Sequence, residues 1–236
     1  MTVISTNHDF VFVHLKKCGG TSVEQALESV LTCPDLVIGS TKTGQALAAL
    51  TRDLWGVHKH SDVAGLSEAL GPRWEKFTTV AVVRDPVQIY ESFYRFHLRL
   101  IENYCTKHEI TREELLKLNM DRSNKALWNS LKSMNARFIL KFGDFNKVME
   151  KMIEKGLLEK PLFDQLSLDG KLVVDHIYRL EDGIDPIAAK LSELIGKEVV
   201  IGHENKGASV PLEWADEHLE AIRRHHARDF EYFDYG

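Results

Sequence analysis

Residues 16–22, Lys16-Lys17-Cys18-Gly19-Gly20-Thr21-Ser22, set two amines, a glycine pair and two hydroxyls in one short stretch with no acid among them. Amines, hydroxyls and free backbone N–H groups all donate, so the chemistry they suit is the holding of an anion, phosphate or sulfate first. A second donor set stands at Val83-Arg84-Asp85-Pro86, followed by Ser92 on the helix that Asp85 and Pro86 are suited to start. A planar guanidinium fork and a hydroxyl suit a second phosphate. The candidate proton acceptors are histidines, which titrate in the range general base catalysis needs. His60 comes first because it lies between the two donor sets, then His58, then His14.

These groups need elements to position them. Phe10-Val-Phe-Val13 is an unbroken apolar run, as in a strand covered on both faces, and the glycines then turn the chain into a helix whose apolar positions are Val23, Ala26, Leu27, Val30 and Leu31. Strand, glycine turn and helix N-terminus together make an anion cradle. The arrangement differs from an ATP-type loop, G-x-x-x-x-G-K-[ST], in which lysine follows the last glycine. Here Lys17 precedes Gly19 by two residues and no glycine stands ahead of it at the required distance, so it approaches a bridging rather than a terminal oxygen. A Cys-x5-Arg phosphatase loop is disfavoured because position 24 is Glu. Cys18, beside two lysines and a helix start, is expected to have a lowered pKa and to oxidise readily.

Further strands are expected over 35–38, 79–83 and 173–178. Helices are expected over 43–54, after a cap at Ser61 or Asp62, through most of 86–156 (including 112–118, 123–134 and 144–155), and over 186–195 and 212–233. On the helix after Pro86, Ile89, Phe93, Phe96 and Leu100 form the expected core stripe. Strands alternating with helices predict an α/β fold: a P-loop-like three-layer arrangement with a central parallel sheet flanked by helices. One domain over 1–236 is expected, with a helical acceptor-side region over about 100–160. Ligands of such sheets lie at the carboxyl ends of the strands, where the lysine–glycine loop and Arg84 both fall.

The chain has 236 residues, of which 44% are hydrophobic and 28% charged, the balance of a globular protein. Its net charge of −5 argues against a general nucleic-acid binder, so an anion site must be local. No apolar run is long enough to span a bilayer, and no basic-then-apolar leader opens the chain. Three cysteines without a CxxC pairing suggest reduced thiols, and a cytoplasmic location is expected. His58-x-His60 and His225-His226 lack partners at a recognised ligand spacing, so no metal is expected.

Together the two donor sets resemble the sulfotransferases that use 3′-phosphoadenosine 5′-phosphosulfate, closest to the carbohydrate and heparan-type branch and its bacterial relatives. The family's P-K-T-G-G-T-S-like loop is matched by Lys16 to Ser22, and its V-R-[DN]-P and S-x-Y by Val83 to Pro86 and Ser92-Phe93-Tyr94. Weaker matches are Lys59-His60-Ser61, Tyr178-Arg-Leu-Glu-Asp182 and Asn205-Lys206, the last resembling the loop that closes over the nucleotide. The resemblance implies that Lys17, Gly19, Gly20, Thr21 and Ser22 hold the 5′-phosphosulfate and that Arg84 and Ser92 hold the 3′-phosphate. Lys16 stands where the family has proline, and Cys18 where it has threonine. The implied activity is sulfuryl transfer, without a metal, to a hydroxyl of a small-molecule or oligosaccharide acceptor. Lys17 would stabilise the leaving phosphate, and His60 or His58 would act as base. The alternatives are a P-loop kinase using ATP and magnesium, and a nucleotide-binding protein without turnover.

Overall fold

The computed structural model describes residues 2–120, 131, 133–202 and 212–236. It divides into two compact units, the described residues of Met1–Pro86, Lys160–Ser209 and His226–Gly236 forming one and those of Val87–Glu159 and Val210–His225 the other.

The first unit is α/β. It carries a five-stranded sheet in the order β3-β1-β2-β4-β7, built from β1 (Thr2–Ser5), β2 (Phe10–Val13), β3 (Leu36–Ile38), β4 (Thr78–Val83) and β7 (His176–Arg179). β5 (Ser167–Leu168) and β6 (Lys171–Leu172) pair as a separate two-stranded sheet, and among the helices are α1 (Gly20–Glu28), α2 (Lys42–Trp55) and α3 (Val63–Leu70). The five-stranded sheet is mixed, which corrects the expectation of a parallel one. β2, β4 and β7 run parallel, while β1 lies antiparallel to both β2 and β3. The reason is local: only residues 6–9 join β1 to β2, enough for a hairpin and far too few for a crossover. Phe10, Val11, Val13, Val80, Ala81 and Val83 are fully buried, as their unbroken apolar runs require. β2 pairs with β4 and β4 with β7 in register, so all three parallel strands end at one edge. That edge delivers residues 14–22, Arg84 with Asp85, and residues 180–182.

β7 starts later than its apolar run suggests because Asp175 does other work: its carboxylate accepts from Thr79 N (2.8 Å) and Thr79 Oγ1 (2.7 Å). Of the two caps considered for α3, Asp62 serves, accepting from Gly65 N at 3.0 Å. The single helix expected over 212–233 is two, over Asp216–His225 and Ala227–Tyr232. At the break, His226 Nδ1 lies 2.7 Å from the buried Asp229 carboxylate, which also accepts from Leu162 N and Phe163 N.

The second unit is helical. Its core gathers Tyr90, Phe93, Tyr94 and Ile101 of α4 (Pro86–His108) with Leu115, Ile139, Val148, Met149 and Ile222. The buried face of α4 is wider than the expected stripe: Ile89 and Phe93 are inside as expected, Tyr90, Tyr94, His97 and Ile101 are inside as well, and Phe96 is 38% exposed. The helix expected over 123–134 lies, save for residues 131, 133 and 134, outside the described residues.

Candidate functional site

The loop after β2 is wound tightly. Lys17 and Gly19 both take left-handed backbone conformations, with φ of 64° and 77°. Gly19 is the N-cap of α1, and Ser22 N donates to its carbonyl at 3.2 Å. A glycine cap offers no side chain to the first-turn N–H groups, and that turn holds no acid, so the end of the helix keeps its positive character. Arg84, from the end of β4, donates through Nη1 to the Lys17 carbonyl at 3.2 Å. The two donor sets found in the sequence therefore meet, with the guanidinium bracing the backbone of the loop. Leu180 packs over Gly19, and Glu181 accepts from Asp85 N (3.0 Å) and from Tyr235 Oη (3.3 Å).

Cys18 departs from expectation. It is buried, its Sγ donates to the Lys16 carbonyl at 3.4 Å, and burial pushes its thiol well above the ordinary range despite the opposing pull of Arg84 and Lys17. Desolvation of a thiolate outweighs neighbouring cations when the sulfur has no water contact. Lys16 is exposed and Lys17 half-buried. Their charges act on different neighbours: Lys17 and Arg84 on Cys18, Lys16 on His58 and His60.

The histidine segment follows α2 and is anchored from below by Thr2, whose hydroxyl donates to the carbonyls of His58 (3.2 Å) and Lys59 (3.3 Å). Ser61 Oγ accepts from His58 N at 2.9 Å. The rings of His14 and His60 lie 4.6 Å apart, and His60 Nδ1 is 3.3 Å from the His14 carbonyl. A carbonyl only accepts, so Nδ1 of His60 carries the proton and Nε2 keeps a lone pair. His58 is the reverse. Its Nδ1 accepts from His60 N at 3.1 Å, so its ring proton sits on Nε2. Burial, with Lys59, Lys16 and His58 adding to it, pushes the His60 pKa down to about 2. Burial and Arg52 lower that of the more exposed His58. His14 is 5% exposed, with its ring directly against Gly20.

Comparison with family models, curated proteins and solved structures returns no match to this chain. What its residues do is therefore argued from the site itself.

Of the expected site residues, those at 16–22, Arg84, His58 and His60 belong to the first unit and are joined by the contacts above. Ser92 belongs to the second unit, half-buried on α4. Asn205 and Lys206 lie outside the described residues. Among the described residues, no group of three or more His, Cys, Asp or Glu converges as metal ligands, and no helix is long and apolar enough to cross a membrane. A cavity of about 270 Å³ is walled by Val83, Leu172, Ile177 and Phe233 and includes none of residues 16–22 in its lining. Its cation, Arg179, is already engaged by the Asp234 carbonyl at 2.8 Å and by the ring of Tyr235.

Sequence reasoning missed Glu24 and the turn it holds. Glu24 sits on α1 at 1% exposure, and its Oε1 accepts from Ser40 N and from Thr41 N (3.1 Å). The signal available was an acid at a position where the α1 stripe is otherwise apolar.

Proposed function

We propose that this protein is a sulfotransferase that moves a sulfuryl group from 3′-phosphoadenosine 5′-phosphosulfate to a hydroxyl of a carbohydrate or other small metabolite. The observation that carries the reading is the position of His60, with Nδ1 3.3 Å from the His14 carbonyl and its ring against that of His14, which itself lies on Gly20 at the start of α1. A carbonyl only accepts, so this contact assigns the proton to Nδ1 and the lone pair to Nε2.

The residues at the loop fit a doubly anionic nucleotide: an N-terminus without a side-chain cap, Lys16 and Lys17 beside it, and Arg84 bracing the turn. The α/β architecture, with the loop at the carboxyl ends of three parallel strands, suits nucleotide binding in general. A P-loop-like identity for this fold is part of the proposal. When bound, the phosphosulfate supplies the group to be transferred. Lys17 and the first-turn N–H groups of α1 supply fixed positive charge where a phosphate oxygen would become more negative. His60 takes the proton of the acceptor hydroxyl at Nε2. Burial is the main cause that keeps His60 neutral, with nearby positive charge adding to it, and an anionic ligand would offset that added charge alone. His58 is the weaker candidate because its Nδ1 lone pair is already used.

Calorimetry with 3′-phosphoadenosine 5′-phosphate, ADP and ATP·Mg tests the cofactor. The expected result is tightest binding of the bisphosphate and a loss of at least about tenfold on removing the 3′-phosphate, as for one charge-assisted contact. Preference for ATP·Mg, or indifference to the 3′-phosphate, overturns the reading in favour of a kinase. Sulfate transfer over a panel of hydroxyl acceptors then separates an enzyme from a binding protein.

A further inference from the structure

Two glycines of the first unit are filled by side chains of other elements. An ideal Cβ on Gly20 would fall 2.0 Å from the ring of His14, and one on Gly39 would fall 1.8 Å from Oε1 of Glu24. The first contact sets His14 beneath His60. The second has no place in the chemistry above, yet it is among the most buried charged groups of the chain.

Glu24 lies flat against Gly39 and accepts from the N–H groups of Ser40 and Thr41, the residues leading into α2. Thr41 is the N-cap of that helix, its Oγ1 accepting from Gly44 N at 3.0 Å. Glu24 Oε2 is also buried and has no hydrogen-bond partner among the described residues, so the carboxylate is not held there for its own stability. The turn it fixes presents the Ser40 hydroxyl, which accepts from Lys59 Nζ. Lys59 stands between His58 and His60; burial lowers the pKa of its ammonium, and the charge of Glu24 acts in the opposite direction. Two independent chains of contact therefore run from α1 to the histidine segment. One goes from Gly20 through His14 to His60, and the other from Glu24 through Ser40 to Lys59.

We infer that Glu24 is a positioning residue: by locking the Gly39–Thr41 turn it pins the Lys59 ammonium to Ser40, and so fixes the charged neighbour of His60 relative to the helix that starts at the anion loop. The inference rests on the proposed reaction for its kinetic consequence, but its structural content is separate. Thr2 already anchors the backbone of His58 and Lys59, so the part left to Glu24 is the placement of a side chain, not the folding of the segment.

The test combines NMR of the lysine ammonium with turnover. In the wild type, Lys59 Nζ, being hydrogen-bonded and partly buried, gives a slowly exchanging 1H–15N signal at low temperature, assigned by its loss in Lys59→Ala. The signal is expected to vanish in Glu24→Ala and in Ser40→Ala, and to persist in Glu24→Gln, whose amide oxygen still accepts from both backbone N–H groups. Single-turnover sulfate transfer is expected to fall about tenfold or more in Glu24→Ala and to recover most of that loss in Glu24→Gln, with bisphosphate affinity within about threefold of wild type in each. A Lys59 signal that survives in folded Glu24→Ala overturns the inference, as does unchanged turnover with wild-type affinity. Should Glu24→Ala fail to fold, Ser40→Ala carries the same reading without touching the buried acid. If the signals behave as stated but wild-type protein transfers sulfate to no acceptor, the sulfotransferase reading fails and the positioning role stands.

Discussion

Replacing Gly20 with alanine separates local propensity from tertiary packing, because the two predict opposite signs. Gly20 is the first residue of α1 and is absent from the positive-φ positions, so by backbone preference alone alanine should stabilise it, by up to about 1 kcal/mol. Packing says otherwise. The added carbon would fall 2.0 Å from Cδ2 and Nε2 of His14, which is only 5% exposed and has little room to withdraw. Ordinary contact needs about 3.5 Å, so the ring must retreat by about 1.5 Å. Overpacking costs about 1–3 kcal/mol, and an overlap this deep belongs to the upper part of that range, about 2–3 kcal/mol, leaving a net loss of about 1–2 kcal/mol after the helix preference is subtracted. For a chain of this length the melting temperature should fall by about 2–4 °C per kcal/mol. The His14 ring packs 4.6 Å from that of His60, so the displacement reaches the proposed base, and turnover should fall about 100-fold. Calorimetric melting of wild type, Gly20→Ala, His14→Ala and the double variant supplies the measurement. The double variant should be more stable than the sum of the single effects, because removing the ring makes room for the new carbon. A Gly20→Ala protein that melts at or above wild type would refute the packing argument.

Arg84→Lys should weaken binding of 3′-phosphoadenosine 5′-phosphate by about tenfold, since lysine lacks the planar array of donors by which Arg84 can hold the Lys17 carbonyl through Nη1 and keep other N–H groups for a phosphate; isothermal titration checks it. With the thiol reagent dithionitrobenzoate at pH 8, the exposed Cys33 should react quickly, whereas the buried Cys18 and Cys105, both with raised pKa, should react only as the chain unfolds. His60 also sets a pH dependence. Its folded pKa, about 2, lies below its ordinary value of 6.5, so the unfolded chain binds the extra proton first. Its contribution is therefore complete above pH 6.5 and is lost as pH falls toward 2, by up to about 1.4 kcal/mol per unit. Melting temperatures between pH 4 and 8 should fall less steeply in His60→Gln than in wild type, and parallel slopes would refute the assignment.

Much of this protein could be read from short-range pattern. The unbroken apolar runs at 10–13 and 79–83 located the central strands, because strands covered on both faces have no polar alternation to blur them. The lysine–glycine loop, Arg84 and the two histidines were visible as residue types and spacings before any fold was known. The pattern was silent on β1, whose Thr2–Ser5 is short and half polar, and so on the antiparallel half of the sheet. It erred at Cys18, because cationic neighbours can be read from adjacency whereas burial cannot. On α4 it found Ile89 and Phe93 but not Tyr90, Tyr94 and Ile101, and it put Phe96 inside, since periodicity alone does not say how wide a face the neighbours will cover.

What the sequence by itself determined is the set of groups on offer: a lysine–glycine loop, a guanidinium and imidazoles in order along the chain. What only the tertiary structure decided is which groups act together. Arg84 lies 67 residues from Lys17, and its Nη1 donates to that residue's carbonyl. His60, already ranked first by its place in the sequence, has its Nδ1 set beside a carbonyl 46 residues away, a contact no spacing could show. Glu24 had no assigned part until Gly39 and Ser40 were seen to close around its carboxylate. Tautomers, proton affinities and bracing contacts depend on distance in space and on exclusion of water, and neither is written in the local order of residues.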